Sequence, residues 1–81
     1  MTLRLLFFSV LRDITGIEET AWPIPSGSTV ADLLQSLYTR WPALGEWDSS
    51  LLIAVDQTYV KRSEPLHENC EVAIMPPVQG G

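Results

Sequence analysis

Few residues of this sequence are candidates for a reactive site, and the strongest candidate is the segment Pro76-Pro77-Val78-Gln79-Gly80-Gly81. Proline fixes φ and has no amide proton, so the proline pair is expected to end a strand and extend away from the fold. The four residues after Pro77 span about 13 Å when extended. Gly80 and Gly81 lack a Cβ, so an enzyme's walls could approach their backbone closely. The reactive group offered by this tail would be the α-carboxylate of Gly81.

The remaining reactive side chains form no catalytic set. His67 stands alone in a polar segment, and imidazole catalysis needs partners in fixed geometry. Cys70, the only cysteine, has no basic neighbour that would lower the pKa of its thiol, which favours an inert, small apolar residue. The sequence contains no phosphate-binding loop, paired-cysteine metal site or nucleophile elbow. We therefore expect no metal site, no tightly bound cofactor and no reaction run by the chain's own side chains.

Length and composition predict a single domain, residues 1–81, with residues 76–81 as its tail. Ten acidic and five basic side chains give a net charge of −5, which argues against nucleic-acid binding and favours a partner with a basic face. No apolar run reaches membrane-spanning length. One cysteine permits no intrachain disulfide, which is typical of a reducing compartment, so a cytoplasmic protein is expected.

The first part of the chain predicts two strands. Residues 2–8 alternate Leu3, Leu5 and Phe7 with a second face that is also largely apolar, which indicates a central strand or one whose second face meets something else. Residues 19–24 form the second strand, and Pro23 assigns it to a sheet edge because proline cannot donate to a ladder.

Helices are predicted after each of these strands. Ser9 could cap a short helical turn over residues 10–14 that Gly16 ends. Ser28 or Thr29 could cap a longer helix, which Pro42 stops. Thr29 and Asp32 have capping-box spacing at the start of that helix, with Asp in place of the preferred Glu. Its apolar residues recur at helical period and should face the core: Val30, Leu33, Leu34, Leu37, Tyr38 and Trp41.

The second half of the chain predicts a loop over residues 44–50 and then three strands. Residues 51–55 have the length and composition of a buried strand. Residues 58–60 are predicted to form a short returning strand, and residues 71–75 the last strand, which leads into Pro76. One main helix packed across a mixed sheet of about five strands is an α+β roll.

Three segments together resemble one family, and the resemblance covers essentially the whole chain. They are Phe7-Phe8 followed by Val10-Leu11-Arg12-Asp13, then Ala54-Val55-Asp56-Gln57, and above all Glu71-Val72-Ala73-Ile74-Met75-Pro76-Pro77-Val78-Gln79-Gly80-Gly81. The chain resembles the small, sulfur-carrying subunit of molybdopterin synthase. That resemblance implies the ubiquitin-like β-grasp form of the α+β roll.

The resemblance also implies a chemical cycle at Gly81. An activating enzyme would use ATP to adenylate the carboxylate, and a sulfur donor protein would displace AMP to leave a thiocarboxylate. The tail, residues 76–81, would then thread into the large subunit and donate sulfur to cyclic pyranopterin monophosphate. The implied assembly is a heterotetramer of two small and two large subunits, with the catalytic side chains on the large subunit.

An apolar partner interface beside the tail is implied as well. Strand parity places Phe8 and Met75 on the sheet face away from the helix, with Tyr59 near them. Arg12 matches a basic position of the family and receives no role. Two alternatives stay open: a sulfur carrier for thiazole or another thio-metabolite, and a ubiquitin-like modifier or interaction domain.

Overall fold

The computed structural model describes residues 1–77 and has the predicted α+β architecture. Its elements in chain order are β1 (Thr2–Phe7), α1 (Val10–Thr15), β2 (Glu19–Pro23), α2 (Val30–Arg40), a 3-10 helix (Pro42–Ser50), β3 (Leu52–Val55), β4 (Thr58–Tyr59) and β5 (Glu71–Met75). The five strands form one sheet in the order β2-β1-β5-β3-β4. β1 and β5 are parallel and the other neighbours antiparallel, so the sheet is mixed.

The core lies between α2 and one face of the sheet. Leu3, Leu5 and Phe7 of β1 are almost fully buried there, as the alternation in the sequence predicts. The α2 stripe packs against them through Val30, Leu33, Leu34 and Leu37, all buried. Burial of these side chains is the main stabilising contribution to the fold, at about 1.5–3 kcal/mol for each large side chain removed from water.

The N-terminus of α2 is stabilised by the predicted capping box and by hydrogen bonds that the sequence did not predict. Thr29 and Asp32 form the predicted capping box. The amides of Val30 and Ala31 donate to the carbonyls of Glu64 (3.0 Å) and Arg62 (2.9 Å), in the loop between β4 and β5. The first amides of a helix have no acceptor within the helix, so these two hydrogen bonds satisfy them. The same bonds hold the loop after β4 against the N-terminus of α2.

The strand positions follow from the residue patterns. β1 lies inside the sheet between β2 and β5, which agrees with its two apolar faces. β2 is an edge strand, as Pro23 requires. It is joined to α2 by Trp22, whose indole N–H donates to the Ser36 hydroxyl at 3.0 Å. The helix is thereby tied to the sheet by a polar contact as well as by packing.

Two local predictions were wrong. Ser9 precedes α1 but its side chain makes no capping hydrogen bond, because its backbone takes φ 58° and ψ −132°, far from the extended geometry of a usual cap. Residues 44–50 are not an open loop: Pro42–Ser50 is a 3-10 helix that buries Leu44 and packs against α2. Gly16, by contrast, ends α1 as predicted, and its backbone is in the left-handed conformation.

The β3–β4 turn carries backbone strain. Asp56 and Gln57 both have positive φ, 50° and 71°, the signature of the type I′ hairpin turn. Asp tolerates this region through local hydrogen bonds, and the Asp56 carboxylate accepts one from the Glu71 amide at 3.0 Å. Gln57 has no such compensation in the described residues, so the strain lies mainly there.

Replacing Gln57 with glycine should stabilise the protein. Glycine takes positive φ without the steric cost that a Cβ incurs, and the gain should be about 0.5–1 kcal/mol after its larger unfolded-state entropy is subtracted. Thermal unfolding should show a midpoint raised by roughly 2–8 °C. Gln57→Ala is the matched control, since it removes the side chain but keeps the Cβ. A glycine variant no more stable than the alanine variant would refute the assignment of strain.

Candidate functional site

The tail leaves the sheet at one end of β5. Met75 is the last residue of this strand, and Pro76 and Pro77 follow it outside regular structure, both partly buried. The predicted threading residues Val78, Gln79 and Gly80, and the predicted reactive residue Gly81, lie outside the described residues. What the structure does define is the surface from which the chain departs.

Two cross-strand rows build that surface on the sheet face away from α2. In one row Leu6 pairs with Ala73, Ala73 with Ala54, and Ala54 with Tyr59. In the second row Met75 pairs with Leu52. Continuing the β1–β5 register by one residue places Phe8 beside Met75, and the Phe8 amide donates to the Ile74 carbonyl at 3.2 Å. The second row therefore lies directly at the tail exit.

These rows form an apolar patch. We define the tail-side patch as Leu6, Phe8, Leu52, Tyr59, Ala73 and Met75, none of which belongs to the buried core cluster. Within residues 1–77, the large apolar side chains that are exposed to solvent are Phe8, at 44%, and Tyr59, at 67%. An exposed contiguous apolar surface marks a contact with another molecule.

The structure brings the three predicted interface residues to one face. Phe8 and Met75 are neighbours, and Tyr59 lies in the adjoining row, so the parity argument placed them correctly. Their role in binding stays a prediction. Leu6, Leu52 and Ala73 were missed, although the even-numbered apolar positions of residues 2–8 were a usable signal for Leu6. Ala73 was likewise indicated by its position two residues before Met75 in the same strand. Leu52 joins the patch only through strand pairing that the sequence does not reveal.

The opposite end of the same face is charged. Arg4 lies between two carboxylates, at 3.3 Å from Glu19 and 3.6 Å from Glu71. Exposed ion pairs of this kind contribute about 0–1 kcal/mol each to stability, but they keep that end of the sheet hydrated. The face is thus apolar where the tail leaves and polar at the far end.

A polar cluster fixes the loop that follows β4. The Tyr38 hydroxyl donates to the Asp48 carboxylate, and the Arg62 guanidinium also donates to it at 2.7 Å. Burial, and then the hydrogen bond to Asp48, raise the pKa of Tyr38 to about 12. Hydrogen bonds from Tyr38 and then Arg62 lower the pKa of Asp48, so this carboxylate stays charged. The cluster joins α2, the 3-10 helix and the loop after β4.

The other reactive side chains lie away from the patch. The His67 imidazole is exposed and 3.2 Å from the Asp56 carboxylate. Cys70 is a buried free thiol packed in the core, where the sequence predicted an inert apolar residue. Within residues 1–77, no cluster of three or more His, Cys, Asp or Glu side chains could hold a metal ion. None of the helices described is long and apolar enough to cross a membrane.

Comparison with known proteins adds independent evidence. The model of the ThiS family matches residues 5–81. The molybdopterin synthase sulfur carrier subunit of Escherichia coli is 37% identical over 81 residues, covering 98% of this chain and 99% of the relative. The match to the family model includes residues 78–81 of the tail, which lie outside the described residues.

Two solved structures share the fold. The solution structure of small archaeal modifier protein 1 from Methanosarcina acetivorans is 28% identical, with a TM-score of 0.77 and coverage of 99% of this chain and 96% of the neighbour. A subunit in a complex of subunits 1 and 2 of molybdopterin-converting factor from Helicobacter pylori aligns with a TM-score of 0.69 at 22% identity, over the full length of both chains. The mixed sheet, the single long helix across it and the family match agree: this chain is a ubiquitin-like β-grasp protein and belongs to the ThiS family.

Proposed function

We propose that this protein is the sulfur carrier subunit of a molybdopterin synthase. The observation that carries the proposal is the E. coli relative of that name, which aligns over nearly the whole of both chains. The structure supports it physically, because the chain reaches Pro76 at the edge of the only face with exposed large apolar side chains in the described region. A partner seated on the tail-side patch would therefore stand beside the departing tail.

The proposed chemistry takes place at the acyl carbon of Gly81. A carboxylate is a poor electrophile, so an oxygen of Gly81 first attacks the α-phosphorus of ATP in an activating enzyme, and pyrophosphate leaves. A sulfur nucleophile from a donor protein then attacks the acyl carbon, and AMP leaves with the electron pair of the broken C–O bond. Where this sulfur is the outer atom of a persulfide, a thiol then cleaves the S–S bond, forms a disulfide with the donor and leaves Gly81 as a thiocarboxylate. We propose a cytoplasmic location, where ATP is available to the activating enzyme.

Sulfur delivery is proposed to occur inside the large subunit. The thiocarboxylate sulfur would attack a carbon of cyclic pyranopterin monophosphate and displace an oxygen substituent, which forms a thioester. Hydrolysis of the thioester would restore the carboxylate and leave the sulfur on the pterin. Glycine suits positions 80 and 81 because a side chain there would obstruct close approach of the enzyme walls. The proteins in the H. pylori structure are a complex of subunits 1 and 2, which supports a large-subunit partner here. We propose two copies of each subunit in the assembly.

Sulfur loading tests the proposal directly. The purified protein is incubated with its activating enzyme, ATP and a sulfur source, and its intact mass is measured. The expected result is the mass gain produced when one terminal oxygen is replaced by sulfur, and no gain when ATP is omitted. A mass that stays unchanged in the complete mixture would refute the sulfur carrier function.

A modifier function is the second candidate, favoured by the likeness to small archaeal modifier protein 1. In that case the activated Gly81 would be joined to a lysine of another protein. The same reaction distinguishes the two, because conjugation adds the mass of a protein to a target while a carrier gains only sulfur. A carrier for thiazole synthesis would load identically and fail to deliver sulfur to the pterin.

A further inference from the structure

A shallow groove adjoins the tail-side patch where β3 begins and β4 ends. Leu52 and Tyr59 line it, together with the backbone segment that leads to Lys61 and Arg62. The Val60 amide donates to the Ile53 carbonyl at 3.0 Å, so the β3–β4 register continues past β4. One residue further, Lys61 stands opposite Leu52. The groove thus has apolar walls and basic residues at its edge.

Lys61 is the uncompensated charge at this edge. The Arg62 guanidinium is held by the carboxylate of Asp48 at 2.7 Å. Lys61 is exposed, and no carboxylate in residues 1–77 lies within 4.0 Å of its ammonium group.

The other basic side chains differ from Lys61. Arg4 and Arg12 pair with carboxylates, and Arg40 lies over the Trp41 ring at 4.9 Å. In a protein with a net charge of −5, an unpaired lysine beside an apolar patch is a local exception to the prevailing acidic surface. Such a charge at the rim of an interface acts on partner choice and on association rate more than on fold stability.

We propose that the groove receives an acidic side chain of the large subunit, with its aliphatic stem against Leu52 and Tyr59 and its carboxylate at Lys61. This inference rests on the proposed function, since it takes the large subunit as the partner. A glutamate fits best, because it combines an apolar stem with a terminal charge. A second copy of this chain fits less well, because it would bring another net charge of −5 to the surface.

The contact would help to orient the complex. Lys61 marks the tail end of the face, and the cross-strand pair of Arg4 and Glu71 marks the far end. A partner with its carboxylate at the wrong end would meet Glu71, and juxtaposed like charges are unfavourable. Lys61 is therefore a specificity residue, which sets the direction in which the large subunit docks relative to the tail.

Charge reversal at Lys61 tests this inference. Binding of the full chain to the large subunit from the same source is measured by titration at low and moderate salt. Lys61→Glu should weaken affinity by about tenfold or more at low salt, and the loss should shrink as salt screens the charges. Lys61→Gln should show a smaller loss. Arg40→Glu is the matched control: it makes the same charge change on an exposed residue of α2 and should bind within about twofold of wild type.

The outcomes separate this inference from the proposed function. If Lys61→Glu and Arg40→Glu weaken binding equally, the effect is one of net charge and the groove contact is refuted. If Lys61→Glu binds as wild type while an aspartate at Phe8 abolishes binding, the groove contact is again refuted and the interface stands. If wild-type protein does not bind the large subunit at all, both the proposed interface and the groove contact are refuted.

Discussion

Removing Gly81, or adding one residue after it, should abolish sulfur delivery while leaving the fold unchanged. The proposed reactive atom is the terminal acyl carbon, and a tail shortened or lengthened by one residue displaces it by about 3.3–3.6 Å. Misplacement by about 1 Å at a reacting centre can cost on the order of a hundredfold in rate. We therefore expect pterin product at background level in an assay with the large subunit, activating enzyme, ATP and a sulfur source.

Gly81→Ala is the graded control for this experiment. It keeps the tail length and the free carboxylate but adds a methyl group, so it should be activated and deliver sulfur more slowly than wild type without falling to background. Unfolding curves of all three variants should coincide with that of wild type, because residues 1–77 build the core without the tail tip. An extended variant that still makes molybdopterin would show that the free terminus is not the reactive group.

An aspartate at Phe8 should abolish assembly with the large subunit. Phe8 is 44% exposed and stands at the tail exit beside Met75, where a docked partner would bury its ring. Loss of a central aromatic contact costs about 2–4 kcal/mol, and an unpaired buried carboxylate adds to that cost. We expect affinity to fall by at least about a hundredfold, measured by titration or co-purification. Tyr59→Asp should act in the same direction.

Ala21→Asp is the matched control for the Phe8 variant. Ala21 is exposed and pairs with Arg4 at the charged end of the same sheet face. It introduces the same carboxylate on the same face, next to a guanidinium and away from the tail. Binding should stay close to wild type. Equal losses from the two variants, or no loss from Phe8→Asp, would contradict the assignment of the tail-side patch as the interface.

The order of elements and the core could be read from the sequence because local patterns encode them. The alternation of Leu3, Leu5 and Phe7 matches the pleat of a strand, and the α2 stripe matches the period of a helix. Pro23 assigned β2 to an edge. Each of these signals depends on residues close in sequence.

Predictions failed where backbone conformation or distant contacts outweigh residue preference. Ser9 is a favoured capping residue, yet the crossing from β1 to α1 places it at φ 58°, and its hydroxyl caps nothing. The 3-10 helix at Pro42–Ser50 exists because Leu44 packs against the core and Asp48 binds Tyr38 and Arg62. Neither Tyr38 nor Arg62 is close to Asp48 in the sequence, so the local residue pattern predicted a loop over residues 44–50.

The resemblance to the family and the α+β roll could be recognised from the residues alone, because periodicity and the Pro-Pro-Val-Gln-Gly-Gly motif are properties of neighbouring residues. The fold was needed to show that Leu52 lies beside Phe8, Tyr59 and Met75 on one surface, and that Lys61 stands at its edge with no carboxylate of residues 1–77 within 4.0 Å of its ammonium group. Strand register is set by hydrogen bonds between segments up to 67 residues apart, as in the pairing of Arg4 with Glu71. Those bonds bring distant side chains together, and no local pattern records them.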